Sequence, residues 1–222
     1  FFGSTASSIN FADGTQFSAI DPQPVLTIDV PIGLQYGSQT GDVQVIGSQL
    51  QVPDSNTLAL FGGAVSLDNA QLLAPGGRIE LGGFADGAIV GLNADGSSNV
   101  PIGIPRRDIA IANTSLLNVT ASDGGSITLT GNSISLRGGS QVLAGIAANS
   151  GAPDAVAGDI QLNAIGSTLL EASTIANNVE AGATGNGGNI FIDSTTFTLQ
   201  NNSRLDAGTF GTGDAGNVGI QA

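Results

Sequence analysis

Eighteen carboxylates, fifteen of them Asp, face five arginines in a 222-residue chain that has no Lys, no His and no Cys. Any chemistry has to come from that set. Clustered Asp residues beside Arg would suit cleavage of a polysaccharide, with Ca²⁺ held by the same carboxylates. Asp42, Asp68 and Asp159 are the candidate outward-facing carboxylates, and Arg106–Arg107 is the one paired basic site. Each of these Asp residues nevertheless stands where a turn favours Asp for local backbone hydrogen bonds. No two carboxylates have a spacing that fixes them within acid–base distance. The serines have no His or Lys to activate them as nucleophiles. Without His the commonest metal ligand is missing, and without Cys there is neither a thiolate site nor a disulfide framework. The expectation is a protein that is not an enzyme and that carries no cofactor.

Calcium is the one ion the composition leaves open. The stretch GTFGTGDAGN, residues 208–217, is Gly-rich like the nonapeptide of calcium-loaded β-rolls, without the tandem register that stacked ions require. NADGSSN, residues 93–99, offers oxygen donors but not an EF-hand loop closed by Glu. Both read as turns. Thr128 and Thr130 form a single Thr-x-Thr pair, a polar strand face, and the sequons at Asn113, Asn118 and Asn201 read as solvent-facing polar turns. A net charge of −13 with no basic stripe argues against nucleic acid as a partner.

The elements that would hold these residues emerge from an internal repeat. Gly, a polar residue, a β-branched residue, any residue and an apolar residue recur as GDVQV at Gly41, GRIEL at Gly77, GSITL at Gly125, GDIQL at Gly158, GNIFI at Gly188 and GNVGI at Gly216. Asn189 and Asn217 occupy the polar position of the last two. Further short alternating runs, LQV at Leu50, LAL at Leu58, ISL at Ile134 and FTL at Phe197, lie between these phrases. Strands of ~3–5 residues bounded by Gly, Asn, Ser or Asp are expected. Strands this short bury a face only by stacking, so the chain is expected to be all-β, a parallel β-helix with each coil ~4.8 Å above the last. The phrase glycines are expected to supply left-handed corner angles, and the following Asn or Asp to bond the backbone of a neighbouring coil. A β-sandwich would share the short strands but wants two-residue hairpin turns. A hydrophobic content of 41% with few aromatics suits a narrow, evenly filled interior, and no apolar run reaches the ~18 residues of a membrane span.

Two segments interrupt the period. Residues 84–107, with two Pro and four Gly, read as an excursion from the coil carrying a small hairpin. Residues 145–156 lengthen a single coil. Long loops on a solenoid mark an interaction face or a tolerated surface insertion, and both readings stand at this point.

The opening SSINFADGTQFSAIDPQPVLTIDVPIGLQYG, then GDVQVIGSQLQV and TLALFGGAVSLDNAQLLAPGGRIELGG, resembles the secretion domain of two-partner-secretion exoproteins of the filamentous-haemagglutinin type, in particular the cyanobacterial branch. Residues 7–17, 30–37 and 57–83 carry the resemblance, and the later coils are similar to the start of the β-helical shaft of such proteins. The resemblance implies a right-handed β-helix, export through an Omp85-like outer-membrane transporter, and life as a secreted or cell-surface adhesin or fibre. The family's Asn-Pro-Asn motifs have no counterpart, so the chain is expected to begin inside the secretion domain and to be a segment of a longer exoprotein. The expected organisation is one solenoid over residues 1–222: 1–83 the C-terminal part of the secretion domain, 84–107 the excursion, 108–222 further coils. Its expected job is structural, a stiff shaft whose unpaired ends permit end-to-end association into filaments. A module binding glycans or a host surface through residues 84–107 is the alternative, and a polysaccharide-active enzyme the third class.

Overall fold

The computed structural model describes residues 1–25 and 29–222, so residues 26–28 of the quoted opening lie outside the described residues. The described residues form strands and no helix. Three parallel sheets make up most of the chain. The first stacks Phe2–Ser4, Thr57–Gly62, Arg78–Gly83, Ser126–Gly131, Ile160–Ala164, Ile190–Asp193 and Val218–Gln221. The second runs from Val43–Ile46 to Thr196–Gln200, and the third from Gln49–Gln51 to Arg204–Asp206. Successive coils visit the three sheets in turn, the parallel, β-helix-like solenoid expected from the repeats.

Register explains why the strands can be so short. Leu58, Ile79, Ile127, Ile160, Ile190 and Val218 pair in one row across the first sheet. Leu50, Leu72, Leu117, Val142, Ile175 and Leu205 do the same in the third. The strand alternation turns these rows inward, where they join one aliphatic core running from Val45 to Ile192. Each fully buried Leu or Ile contributes about 1.5–3 kcal/mol, and a like neighbour above and below keeps the rows free of voids.

Coil length varies while the stacking does not. Row partners in the first sheet lie 21, 48, 33, 30 and 28 residues apart (79 − 58, 127 − 79, 160 − 127, 190 − 160, 218 − 190). The long coil contains residues 84–107. This segment leaves the solenoid, forms a hairpin through Gly91↔Asn99 and Leu92↔Ser98, and pairs its strand Ile89–Leu92 with Pro31–Gln35. With Ser8–Phe11 and Gln16–Ser18 these strands build a five-stranded antiparallel sheet. Residues 84–107 are therefore sheet-forming and help cover the solenoid.

The second interruption also stacks. Gly151–Val156 pairs with Thr184–Asn186, and isolated bridges join Ala121 to Ile146, Gly124 to Ala157, and Thr184 to Thr212. Ile146, Ala155, Ala157, Val179 and Ala183 bury a small apolar cluster of their own beneath this lateral ridge.

The antiparallel sheet covers the outer face of the first sheet at its N-terminal end. Ala59 and Phe61, which alternation turns outward, are buried there with Leu34, Tyr36, Phe84, Ala88 and Val90. The Phe84 ring sits 5.8 Å from Phe61 and 5.4 Å from Tyr36. Gly82 leaves room for it, since a Cβ at that position would overlap the Phe84 ring. Burial pushes the Tyr36 phenol up to about 12, against the opposing pull of its hydrogen bond with the Ser4 hydroxyl. The unfolded phenol ionises near ~10, so the stabilisation is intact below that pH and is lost as pH rises through the folded value. Thermal stability is expected to fall between about pH 10 and 12, by roughly 2–3 kcal/mol in total. Absorbance titration of this single tyrosine alongside unfolding curves tests it, with Tyr36→Phe as control. Ionisation of the folded phenol near pH ~10 would contradict it.

Candidate functional site

The phrase residues singled out in the sequence fall into one column, with one exception. Gly77, Gly125, Gly158, Gly188 and Gly216 each immediately precede, or precede by one residue, a strand of the first sheet. Gly41 instead leads into Val43–Ile46 of the second sheet, where its carbonyl accepts the Gly63 N–H at 2.7 Å and the Thr5 hydroxyl at 2.7 Å.

The reason for glycine differs from the expected one. Among these six, only Gly125 has a left-handed φ, of 80°. Left-handed corners are occupied by other residues, including Gly138 at 64°, Asn113 at 55° and Asn201 at 55°. What the column requires is the absence of a Cβ. A Cβ on Gly158 would lie 2.6 Å from the Gly125 carbonyl oxygen, one on Gly188 would overlap the Gly158 carbonyl, and one on Gly216 would overlap that of Gly188. Each coil thus rests on the bare backbone of the coil beneath it.

The polar residues after Gly158, Gly188 and Gly216 lock the same column. Asp159 Oδ1 accepts the Asn189 backbone N–H at 2.8 Å and its side-chain amide at 3.0 Å. Asn189 Oδ1 accepts the Asn217 backbone N–H at 3.0 Å and its amide at 3.1 Å. Asn177, fully buried on the third sheet, donates its amide to Gly158 O at 2.9 Å and Asn189 O at 3.1 Å, tying two coils to the opposite wall. Nothing in the sequence marks Asn177 for this, because its neighbour Asn178 is an equally polar residue of the same strand.

The carboxylates considered for chemistry are engaged in the same kind of stacking. Asp42 Oδ1 accepts the Ala64 N–H at 2.8 Å, and Asp68 Oδ1 accepts the Asn113 amide at 2.7 Å. With Asp159 they occupy different corners, each bonded to an adjoining coil. No group of three or more Asp or Glu side chains placed to hold a metal ion occurs among the described residues. Residues 93–99 form a turn in which Asp95 Oδ1 accepts the Ser97 N–H at 2.9 Å, and bonds from Ser97 hold this carboxyl below its usual range. Thr128 and Thr130 lie on the outer face of the first sheet.

That face holds an arrangement the sequence does not reveal. Beyond the edge of the antiparallel sheet, Ser126, Thr128, Thr130, Gln161 and Asn163 floor a polar trench. Arg78 and Glu80 line it as well, with Arg78 Nε 3.7 Å from Glu80 Oε1 and Nη2 3.6 Å from Asp95 Oδ2. Glu80, only 4% exposed, also accepts the Ser98 N–H at 3.0 Å and so fastens the hairpin. Farther along, Arg106 reaches across to donate Nη1 to Asn163 O at 3.1 Å. Burial lowers its pKa, while the charge of Asp193 raises it.

Comparison with known proteins agrees with the architecture at the N-terminal end. Residues 1–104 match the family model of the TPS secretion domain. No curated protein and no solved structure matches the chain.

Proposed function

We propose, from the premise that residues 1–104 are the secretion domain of a two-partner-secretion exoprotein, that this chain joins an export signal to a rigid extracellular shaft. Such a domain directs secretion across the outer membrane by way of a partner transporter. The observation that carries the shaft role is continuity: the same three sheets and one aliphatic core run from Val45 to Ile192, straight through the boundary at residue 104. The first coils therefore offer exposed strand edges on which each later coil pairs in register, so export and assembly of the shaft are coupled in one direction. Right-handed winding fits the ~98% preference of parallel strand crossovers.

The reading extends to an adhesive or scaffold role on the cell surface, which the continuous stacking of the coils supports, with end-to-end association as its further extension. Seven strands in the first sheet give about 29 Å of rise at ~4.8 Å each. The last strand, Val218–Gln221, pairs on one side only among the described residues, and its inward-facing Val218 and Ile220 are 43% and 47% exposed. A second copy or a further coil would cover them. The branch of the family proposed is the cyanobacterial one.

Secretion from cells that carry the partner transporter tests the reading. The 222-residue chain is expected in the medium as a protease-resistant rod, and a chain lacking residues 1–104 is expected to stay in the periplasm. Equal release of the two would sink the proposal.

A further inference from the structure

Asp159 and Glu80 at the margins of the trench serve stacking and the hairpin, but the side chains of Ser126, Thr128, Thr130 and Gln161 on its floor make no hydrogen bond with either. Its floor is a lattice set by register: Glu80, Thr128 and Gln161 share one row, Gly82, Thr130 and Asn163 the next. Ser97, Ser98 and Val100 of the excursion form a wall. Three depressions, of about 200, 430 and 440 Å³, run together here, sharing Arg78 and Ser126 at one junction and Thr130 and Asn163 at the other. That scale is typical of sites for small ligands, ~300–1,000 Å³.

The charges lining it select the ligand class. Arg78 and Arg106 stand against Glu80, Asp95, Asp159 and Asp193. Two guanidiniums among four carboxylates, in a chain of net charge −13, repel a polyanion. The three hydroxyls and two amides of the floor each both donate and accept, as the hydroxyls of a sugar do. Arg78 Nη1 and Arg106 Nε are buried at the edge of the trench without a hydrogen-bond partner in the structure. Carboxylates and guanidiniums side by side match adjacent hydroxyls, which give a proton to one and accept from the other.

We propose that this trench binds a neutral oligosaccharide lying along the solenoid axis, with Thr128, Thr130, Gln161 and Asn163 contacting successive sugars from coils ~4.8 Å apart. The site is independent of the shaft role and stands or falls separately from it. It places recognition at the foot of the shaft, within and just beyond the secretion domain.

Saturation-transfer NMR and calorimetry on the whole 222-residue chain test it. The probes are maltoheptaose, cellohexaose and laminarihexaose, with a heparin hexasaccharide as the anionic comparison. At least one neutral probe is expected to bind saturably, with little change on raising salt. Thr128→Val combined with Gln161→Ala is expected to weaken binding at least about tenfold, while Arg137→Ala, on the second sheet, leaves it unchanged. Thr128→Val alone keeps the side-chain shape and strand propensity, so it reads out the lost hydroxyl even if the double variant folds poorly. No binding of any neutral probe, binding of heparin alone, or undiminished binding by the floor variants would each overturn the assignment.

Discussion

Gly188→Ala is expected to lower stability by about 3 kcal/mol, the upper end of what an inserted methyl costs in packed structure. The new Cβ would overlap the Gly158 carbonyl oxygen and press on Ala157 O and the Asn177 amide. None of these can retreat cheaply. The Gly158 carbonyl already accepts the Asn177 side chain, and the coil spacing is fixed by the Ile160↔Ile190 pairing beside it. Gly41→Ala is the matched comparison. Its Cβ would meet only Thr5, at 3.7 Å, and its φ is not left-handed, so a change within about 0.5 kcal/mol is expected. Urea unfolding of both variants decides the matter, and hydrogen exchange at the Ile190 and Val218 amides locates the damage in the C-terminal coils. Equal midpoints for the two variants would mean that the glycine column does not set the coil spacing.

Phe84→Ala should cost slightly more, about 3–5 kcal/mol, because it empties the centre of the second core. Phe84 is fully buried between Phe61 of the solenoid and Tyr36 of the antiparallel sheet, and it is the first residue of the excursion. Its loss removes the main apolar contact that holds five antiparallel strands on the first sheet. The expected result is a two-step unfolding curve in which the sheet releases first, together with, on the proposed export role, loss of secretion. Ile102→Ala, in the same excursion but fully exposed, should leave both unchanged. A single transition at the wild-type midpoint for Phe84→Ala would show that the sheet is held elsewhere, by bonds such as Thr40 N–H to Asp86 Oδ1 at 3.0 Å.

The solenoid was legible because its evidence is local and repeated. Each phrase carries its own strand, its own turn and its own inward pair, so periodicity alone implies stacking. Two features escaped for physical reasons. GDVQV looks like the other phrases yet lies in another sheet, since the phrase encodes a strand preceded by a bare backbone position and says nothing of which face it joins. That assignment depends on the short run to Gln49–Gln51 and Thr57–Gly62, which completes a coil of only 21 residues at the next turn (79 − 58). The antiparallel sheet escaped because its strands pair across long separations, Val90 with Leu34 and Ile9 with Leu34, and carry no repeat. The trench was illegible for a related reason: Thr128 and Gln161 are ordinary outward residues until register sets them side by side and the hairpin walls them in.

The direction of the inter-coil hydrogen bonds carries a mechanical consequence. They run parallel to the long axis, so a pull on the two ends loads the coils in series, and the weakest junction opens before its neighbours share the force. Bending or shear instead loads whole sheets at once. A shaft of this kind is stiff sideways and peels lengthwise, one coil at a time. Arg106 alters that rule at one point: its bond to the Asn163 carbonyl, 57 residues onward, straps the excursion to a coil beyond its immediate neighbour. Force passing along the solenoid meets a parallel tether there, between the residues that match the secretion-domain model and the coils that follow them.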